Sequence, residues 1–425
     1  MIVDTLDLNR LTIEVFKLDN GLEAVLIPKP DSKSVSFDLT YKTGSVSEIK
    51  GKTGLAHLFE HLMFNKTKNL DKGEYFKMCN MAGGDCNAYT TFDWTSYVMS
   101  LPGNQLELGL WLESERMFNH ILDEESFNTE KKVVTEEITQ TVENQPYAKW
   151  REALSRNAYK PGSPYSHEVH GSAEDVNNAG ISDAIEFFDK FYSPANACLA
   201  ISGDIEPDKA VELIKKYFDK GRPGKRNIVS ASEVVTNAPA YEKVEDKVPY
   251  PAVFIAYHTP GFIDDESIYA SAFTHIASSG TSAPLYREMI YESEMASAAD
   301  AAVDKKEHSS MMIFYAVANS RNITTDMLSE KLIQTINKVK KGSITGEVFK
   351  KSKNQLLTSA VKNLQHTSGI AEIACLEQLF NNDPNRLYTT IDKYMQLKPD
   401  DITGFANHYL RESNMIRIDV VPREG

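Results

Sequence analysis

The first 45 positions of the chain contain runs of residues typical of short β-strands. Residues 14–18 and residues 22–27 are two such runs, and the Asp19-Asn20-Gly21 sequence between them is typical of a hairpin turn. Apolar residues then alternate with Ser, Asp and Thr over residues 35–41. This period of two predicts a strand with one buried face and one solvated face.

Helices and strands follow in an order that occurs twice along the chain. In the first half we predict a helix at 55–63, strands around 87 and 97, helices at 105–119 and 123–145, a strand at 197–202 and a helix at 207–218. In the second half we predict strands at 253–257, 311–318 and 415–421 with helices between them. Residues 221–245 begin with a polar stretch rich in Gly and Pro, which indicates a linker. We therefore expect an N-terminal domain over 1–220, a linker over 221–245 and a C-terminal domain over 246–425.

The composition is that of an ordinary globular protein. The 425 residues are 41% hydrophobic and 25% charged. No apolar run approaches the roughly 18 residues of a membrane-spanning helix, so we expect no membrane span. The formal net charge of −14 disfavours nucleic acids and anionic membranes as partners, and it favours basic peptides through long-range attraction.

The cysteines give an indication of the compartment. Cys79, Cys86, Cys198 and Cys375 show neither a C-x-x-C nor a zinc-finger spacing, which favours free thiols and a reducing compartment. The first residues also lack the basic and apolar regions of a signal peptide. We therefore expect a cytoplasmic protein, or a periplasmic one if the sequence is a mature form.

The chemical signal is the sequence His57-Leu58-Phe59-Glu60-His61. Histidines four residues apart on a helix lie on one face, roughly 6 Å apart along the axis, which suits two imidazoles that bind one metal ion. Glu60 lies in the same turn, where a carboxylate can act as general base on a water molecule. Four apolar residues interleave with these three, so the helix is predicted to be buried and its polar groups need partners. A metal ion is one such partner, and a hydrogen-bonded core cluster is the alternative.

A catalytic zinc site needs a third protein ligand. The helix predicted at 123–145 has Asp123 as its N-cap and an apolar stripe that includes Val134. With Val134 at zero on a helical wheel, Glu137 falls at about −60° and Glu130 at about −40°, whereas Glu136 falls at about 200°. We therefore predict Glu137 as the third ligand, Glu130 as a catalytic acid behind the ligands, and Glu136 as solvent-exposed.

Together these residues resemble the pitrilysin and mitochondrial-processing-peptidase family of zinc metallopeptidases, the inverzincins that include insulin-degrading enzyme. That family carries H-x-x-E-H followed by a ligand Glu at an interval similar to the one found here, 137 − 61 = 76 residues. Further motifs match between residues 12 and 205: Glu130-x-x-Val133-x-x-x-Glu137, Gly84 to Thr91 before Thr95-Ser96-Tyr97, and Phe188-x-x-x-Tyr192-x-Pro194-x-Asn196 before Gly203-Asp204. The second half resembles the short-chain bacterial members in length and helix order.

The resemblance implies an α+β fold of two homologous domains, each an antiparallel sheet with helices packed on one side, with metal only in the first. It implies a zinc endopeptidase in which His57, His61 and Glu137 bind Zn²⁺. Glu60 would take a proton from water and later deliver it to the leaving amine.

The resemblance also implies how peptides bind. The strand through Asn87, Ala88 and Tyr89 would be a sheet edge to which the substrate adds as a β-strand, a mode that reads little sequence. An ordinary sheet strand is the alternative. Phe64 would resemble the residue that lines the pocket just after the cut, although core packing also explains an aromatic residue there.

Two other functions compete with a peptidase. Lyases that cleave S-ribosylhomocysteine also use H-x-x-E-H, but with a downstream Cys ligand on a far shorter chain, and Cys79 and Cys86 lie too close behind the motif. A non-catalytic or regulatory subunit of a peptidase complex is the second alternative. Such subunits usually lose motif residues, and none is lost here.

One feature of single-chain members is missing. The resemblance implies an Arg and a Tyr seven residues apart in the metal-free half, where they would hold the substrate carbonyl, but Ile290 and Ser297 occupy these places. Arg287 would have to reach from three residues away. We therefore predict a dimer, with two forms left open: a heterodimer with a homologous subunit that lacks the zinc motif, or a self-sufficient homodimer.

Overall fold

The computed structural model describes residues 10–221, 223–343 and 346–423. Its strands are β1 (Glu14–Lys17), β2 (Glu23–Pro28), β3 (Ser34–Tyr41), β4 (Asp85–Thr90), β5 (Thr95–Pro102), β6 (Ala197–Gly203), β7 (Ala240–Asp246), β8 (Ala252–Pro260), β9 (Ala296–Asp304), β10 (Ser309–Ala318) and β11 (Met415–Pro422). Its α-helices are α1 (Leu55–Leu62), α2 (Glu74–Met81), α3 (Leu106–Asn119), α4 (Glu124–Ile138), α5 (Trp150–Ala158), α6 (Ala173–Asn178), α7 (Ile181–Phe191), α8 (Pro207–Phe218), α9 (Ser267–Ser278), α10 (Thr325–Lys338), α11 (Gly346–Asn363), α12 (Thr367–Asn381), α13 (Arg386–Gln396) and α14 (Pro399–Tyr409).

The strands form two sheets. Strands β1 to β6 make a six-stranded sheet in the order β1-β2-β6-β3-β5-β4, and β7 to β11 make a five-stranded sheet in the order β7-β11-β8-β10-β9. Neighbouring strands are antiparallel except for β2 with β6 and β7 with β11, which are parallel. The predicted α+β fold is confirmed, and one parallel pair in each sheet adds to the antiparallel pairing that we expected.

The chain divides into two compact units, and each is built from separate segments. Unit 1 consists of residues 1–138, 169–229 and 360–389, of which residues 1–9 lie outside the described part. Unit 2 consists of residues 139–168, 230–359 and 390–425. The chain passes between the units at Val229 and Ser230, inside the predicted linker, but also at four other places. The domain bounds expected from the sequence stay a prediction.

Most of the predicted elements are present in the structure. The hairpin is confirmed, because β1 and β2 pair antiparallel through the predicted turn. Two strands were not predicted, β7 within the supposed linker and β9. β7 alternates exposed residues with less exposed ones, and β9 is rich in alanine, a residue that is depleted in strands. β7 and β9 are the two edge strands of the second sheet. Fewer of their side chains are buried, so the hydrophobic pattern that marks a strand is weak in both.

The prediction of a half-solvated strand at 35–41 was wrong. In β3, the side chains of Ser36, Asp38 and Thr40 are buried as deeply as their apolar neighbours. Helix α12 packs against β2, β3 and β6 on this face, and the Ser36 hydroxyl lies 2.8 Å from that of Thr367. Hydroxyl groups therefore satisfy one another between β3 and α12, where we had expected water.

Asp38 is the charged member of this buried face. Its Oδ1 accepts hydrogen bonds from the hydroxyl groups of Thr40 at 2.5 Å and Ser96 at 2.7 Å. Burial raises the pKa of Asp38 to about 7, although these two hydrogen bonds oppose the shift. The buried position therefore favours the protonated form of this carboxyl group more than water does.

A helix that crosses a membrane needs roughly 20 consecutive, mostly apolar residues. No helix in the described part of the chain is long and apolar enough to meet this requirement.

Candidate metal centre

Helix α1 carries the histidine motif, and a residue outside the helix caps its N-terminus. Gly54 precedes the helix at φ 90° and has no side chain to cap it. The carboxylate of Glu48 accepts hydrogen bonds from the backbone N–H groups of Gly54 at 2.9 Å and Ala56 at 2.7 Å. A carboxylate there also interacts favourably with the positive end of the helix dipole, so Glu48 stabilises the first turn of α1.

We expect Glu48→Ala to lower the free energy of unfolding by about 0.5–2 kcal/mol, the usual range for loss of a helix cap. Glu48→Gln should cost less, because its amide oxygen still accepts one of the two hydrogen bonds. Urea denaturation of both variants and of the unaltered protein, each after metal removal, measures the effect. An unchanged midpoint for Glu48→Ala would contradict the capping role.

Three potential metal ligands converge between α1 and α4. Glu137 places one carboxylate oxygen 3.8 Å from Nε2 of His57 and the other 3.4 Å from Nε2 of His61. The two imidazole rings have centroids 5.0 Å apart, and one ligand atom from each of the three residues lies within 4.8 Å of the others. This is the one such group of His, Cys, Asp or Glu in the described part of the chain. The two helices that carry it, α1 and α4, were both predicted from the sequence.

The spacing and chemistry of this group suit zinc. Ligands about 2 Å from a tetrahedral ion lie about 3.3 Å from one another, close to the observed distances and longer than a charged hydrogen bond. Burial, together with the neighbouring His61 and His170, lowers the pKa of His57 to about 4, so the ring is neutral and able to bind metal. Two imidazoles and one carboxylate match the ligand set of catalytic zinc, which leaves a position open for water or substrate.

Helix α4 presents its carboxylates in the predicted directions. Asp123 caps this helix, since its Oδ1 accepts a hydrogen bond from the backbone N–H of Ser126 at 2.9 Å. Glu130 is buried and Glu136 is exposed, while the side chain of Glu137 is 43% exposed. The helix is shorter than predicted, because the segment from Thr139 to Glu143 continues as a π-helical turn. The predicted orientation is thus confirmed, whereas the roles of these residues stay predictions.

Glu60 lies beside the three potential ligands and is not part of that group. Its Oε2 accepts a hydrogen bond from the hydroxyl of Thr90 at 2.7 Å. Burial raises the pKa of Glu60 above its ordinary value, although Thr90 and the charge of His61 partly offset this shift. A carboxylate that is fixed in direction and more basic than usual is suited to accept a proton. Thr90 was not predicted, because it lies on β4, 30 residues away from Glu60 along the chain.

Glu130 lies behind His61. Its Oε2 is 3.7 Å from Nδ1 of His61, and its Oε1 accepts hydrogen bonds from Lys72 at 2.7 Å and Asn65 at 3.2 Å. Burial alone would raise the pKa of Glu130, but the nearby imidazole of His61 and the hydrogen bonds from Lys72 and Asn65 outweigh it and lower the pKa to about 2. Glu130 is therefore ionised and can orient the imidazole of His61. No pattern in the sequence indicated that Lys72 and Asn65 contact Glu130.

Strand β4 lies at the edge of its sheet, as we predicted. Its one neighbour in the strand order is β5. Along the strand, Thr90 points to Glu60, whereas the hydroxyl of Tyr89 donates to Glu372 of α12 at 2.7 Å. The Tyr89 side chain therefore lies on the face opposite the candidate metal site. The backbone N–H of Ala88 donates to the side-chain oxygen of Asn87 at 2.9 Å.

A cavity of about 330 Å³ adjoins the site. Its lining includes Glu60, His61, Phe64, Lys72, Phe76 and Glu130. The rings of Phe64 and Phe76 are stacked with centroids 4.6 Å apart. Phe64 therefore faces a cavity next to the candidate metal centre and is not wholly enclosed in the core.

Ser297 and Arg287 of unit 2 make contacts with neighbouring residues of that unit. The hydroxyl of Ser297 donates to the carbonyl oxygens of Val317 at 3.3 Å and Ala318 at 3.1 Å. The guanidinium of Arg287 forms an ion pair with Glu292 at 3.2 Å. None of these contacts assigns a role in catalysis to Ser297 or Arg287.

Comparisons with known proteins agree with this chemistry. Residues 23–167 match the family described as insulinase (peptidase family M16), and residues 180–356 match the peptidase M16 inactive domain. The chain is 29% identical over 421 residues to the zinc protease PqqE of Helicobacter pylori, covering 96% of this chain and 93% of that protein. It is 22% identical over 378 residues to the probable mitochondrial-processing peptidase subunit beta of Arabidopsis thaliana, covering 84% of this chain and 68% of that protein. The crystal structure of a protease from Helicobacter pylori has a TM-score of 0.89 and 28% identity, covering 97% of this chain and all of that one.

Proposed function

The chain belongs to the M16 family of peptidases, and on this premise we propose that it is a zinc-dependent endopeptidase that uses Glu60 as its general base. The observation that supports this most is the convergence of His57, His61 and Glu137 beside a carboxylate that Thr90 holds in place. Relatives that are named zinc proteases support zinc as the metal. The substrates would be peptides or unfolded segments of proteins.

Each residue of the site has one task in this proposal. His57, His61 and Glu137 hold the metal, and Glu130 orients His61. Bound zinc supplies a Lewis acid that makes water easier to deprotonate at neutral pH and polarises a peptide carbonyl. Glu60 accepts the proton of the attacking water and later gives it to the nitrogen of the leaving amine. The Thr90 hydroxyl keeps the Glu60 carboxylate in the direction that both transfers need.

Strand β4 is proposed to bind the substrate. A strand at the edge of a sheet offers unpaired backbone groups, and an extended peptide can add to them with few demands on its sequence. Successive residues of a strand direct their backbone N–H and C=O groups to opposite edges. Ala88 would therefore pair with the peptide through its backbone, and Asn87, which lines the cavity, would contact the peptide through its side chain. Tyr89 would act indirectly, by fixing β4 to α12 through Glu372.

The quaternary structure is also part of the proposal. Since Ile290 and Ser297 carry neither a guanidinium nor a phenol, we favour a dimer in which a homologous subunit supplies these groups. One relative is named as a subunit of a processing peptidase, which fits an assembly of unlike chains. The self-sufficient homodimer remains the alternative.

Cleavage of a quenched fluorescent peptide by the purified chain, with and without a metal chelator, tests the proposal. We expect activity that the chelator abolishes and added Zn²⁺ restores, and that rises when a homologue lacking the zinc motif is mixed in. Full activity of the isolated chain, unchanged by mixing, would disprove the heterodimer. Absence of cleavage both alone and in the mixture would favour a non-catalytic subunit.

A further inference from the structure

We propose that Cys79 and Cys86 form a redox site, where a small-molecule disulfide such as oxidised glutathione converts the two thiols to a disulfide bond that ties α2 to β4. Both cysteines are free thiols in the structure. The site goes beyond the proposed peptidase function and does not depend on it. It makes the contact between α2 and β4 responsive to the thiol–disulfide balance of the surroundings.

The fold brings the two side chains together across the short connection from α2 to β4. Cys79 and Cys86 are 86 − 79 = 7 positions apart, and the chain turns tightly between them, because the backbone N–H of Gly84 donates to the carbonyl oxygen of Cys79 at 3.0 Å. Cys79 lies on the buried side of α2 with Tyr75, and Cys86 lies on the buried face of β4 with Ala88. The two thiols are hydrogen-bonded to each other. The pair thus meets a first requirement for a disulfide, that the two side chains point towards each other.

The hydrogen bond assigns different roles to the two sulfur atoms. The S–H of Cys86 donates to the sulfur of Cys79, which lowers the pKa of Cys79 although burial opposes the shift. The same hydrogen bond, together with burial, raises the pKa of Cys86. Thiolates, not thiols, attack disulfides. Cys79 is therefore the nucleophile of the pair, and Cys86 is the thiol that resolves the intermediate.

The reaction has two exchange steps. Cys79 loses its proton to solvent, and its sulfur attacks one sulfur of the small disulfide, so that a mixed disulfide forms and one small thiolate leaves. Cys86 then loses its proton, and its sulfur attacks that of Cys79 and displaces the second small thiolate. Both leaving thiolates take up a proton from solvent. In sum, two protein thiols are oxidised to one disulfide, and the small disulfide is reduced to two thiols.

Access to the pair is provided by the position of α2 at the surface. Cys86 is 9% exposed, whereas the other three cysteines are fully enclosed. Helix α2 has only eight residues, and Gly73, which precedes it, has no side chain to cap it. Half of its residues are exposed: Phe76, Lys77, Asn80 and Met81. A short helix with so little buried surface opens locally at a low cost in free energy, which lets a small disulfide reach Cys79.

The remaining two cysteines provide a contrast within the same chain. The thiols of Cys198 and Cys375 are also in contact, but the S–H of Cys375 donates to the carbonyl oxygens of Cys198 at 3.3 Å and Asp38 at 3.5 Å. Both cysteines lie fully enclosed between α12 and the central strands β3 and β6. Burial raises the pKa of the Cys375 thiol well above its ordinary value. This second pair therefore has neither a thiolate nor an opening, and we expect it to stay reduced.

A disulfide at Cys79 and Cys86 restrains one wall of the cavity beside the candidate metal centre. A disulfide bond is about 2.05 Å long, which is shorter than any contact between two thiols, so its formation draws α2 and β4 together. Asn87 directly follows Cys86, Phe76 lies three residues before Cys79, and both Asn87 and Phe76 line that cavity. We expect the backbone amides of residues 74–82 to exchange hydrogen severalfold more slowly in the oxidised chain, since the crosslink prevents α2 from opening.

Incubation of the purified full chain with oxidised glutathione tests the proposal. The remaining thiols are alkylated under denaturing conditions, and the crosslinks are mapped by mass spectrometry of peptides. We expect a crosslink between Cys79 and Cys86 in most molecules within hours, and its loss with excess reduced glutathione. Cys198 and Cys375 should be alkylated throughout. Cys86→Ala should stop at a mixed disulfide of Cys79 with glutathione. Cys198→Ala is the matched control, because it removes a buried thiol from the other pair and should leave the crosslink unaltered.

The crosslink in the unaltered chain decides the outcome, whether or not the variants fold. Absence of a crosslink between Cys79 and Cys86, or its formation only in urea that unfolds the chain, would overturn the proposal. Equal oxidation of Cys198 and Cys375 would do the same. Unchanged hydrogen exchange over residues 74–82 in the crosslinked chain would refute the effect on α2. Because none of these measurements requires peptide cleavage, an inactive chain would refute the proposed function and leave the redox site standing.

Discussion

Replacement of Glu60 by glutamine is expected to lower peptidase activity about a thousandfold while zinc stays bound. General acid–base catalysis typically contributes factors of this order, and an amide cannot accept the proton of the attacking water. The structure supports retention of the metal, because Glu60 is hydrogen-bonded to Thr90 and stands outside the group formed by His57, His61 and Glu137. Metal analysis and peptide cleavage on the same purified sample measure both quantities.

A second substitution tests how Glu60 is positioned. Thr90→Val removes the hydroxyl but keeps the volume of the side chain, so it should reduce kcat less than Glu60→Gln and leave the zinc content unaltered. Loss of zinc together with activity in Glu60→Gln would make Glu60 a ligand and would refute the assignment. Full activity of this variant would exclude Glu60 as the base.

Replacement of Glu137 by glutamine is expected to weaken zinc binding by more than about a hundredfold, beyond the 10- to 100-fold loss usual for residues that only orient a ligand. A neutral amide oxygen replaces the one negatively charged ligand in a set of two imidazoles and a carboxylate. Glu136→Gln is a close control, because it makes the same change on the adjacent, exposed side chain. Titration with a competing fluorescent chelator gives the zinc affinity of both variants.

The outcome for this pair of variants is decisive for the orientation of α4. Similar zinc affinities in Glu136→Gln and Glu137→Gln, or a loss only in Glu136→Gln, would show that the ligand assignment is wrong. If the Glu137→Gln variant unfolds, its zinc affinity cannot be compared, so circular dichroism of the metal-free protein is measured first. Because Glu137 lies one residue before the end of α4 and is partly exposed, we expect the helix to form without it.

Much of the candidate site could be predicted because it depends on helical periodicity. The spacing of His57, Glu60 and His61 places them on one side of α1 wherever that helix packs. The phase of α4 likewise distinguishes Glu130 and Glu137 from Glu136, and the structure confirms that distinction. Strand order was harder, and the position of β4 at an edge came from the family resemblance, not from its own sequence.

The packing of distant segments was not predictable. Polar residues at alternate positions of β3 predicted a face exposed to solvent. That face is instead covered by α12, which lies more than 300 positions later in the sequence. A period of two cannot distinguish a hydroxyl that faces solvent from one that faces another hydroxyl. Residues 139–168 belong to unit 2 and residues 360–389 belong to unit 1. This division also had no signal in the sequence, because it depends on how distant segments pack.

The sequence by itself determined which groups are available and how they are arranged within a helical turn: two imidazoles, a carboxylate between them, and a second carboxylate directed towards them on another helix. The tertiary structure decided which distant groups complete the site. Thr90 reaches Glu60, Lys72 and Asn65 reach Glu130, and Glu48 caps α1. Backbone geometry fixes directions over about four residues, whereas these contacts depend on how helices and strands pack, which no local pattern specifies.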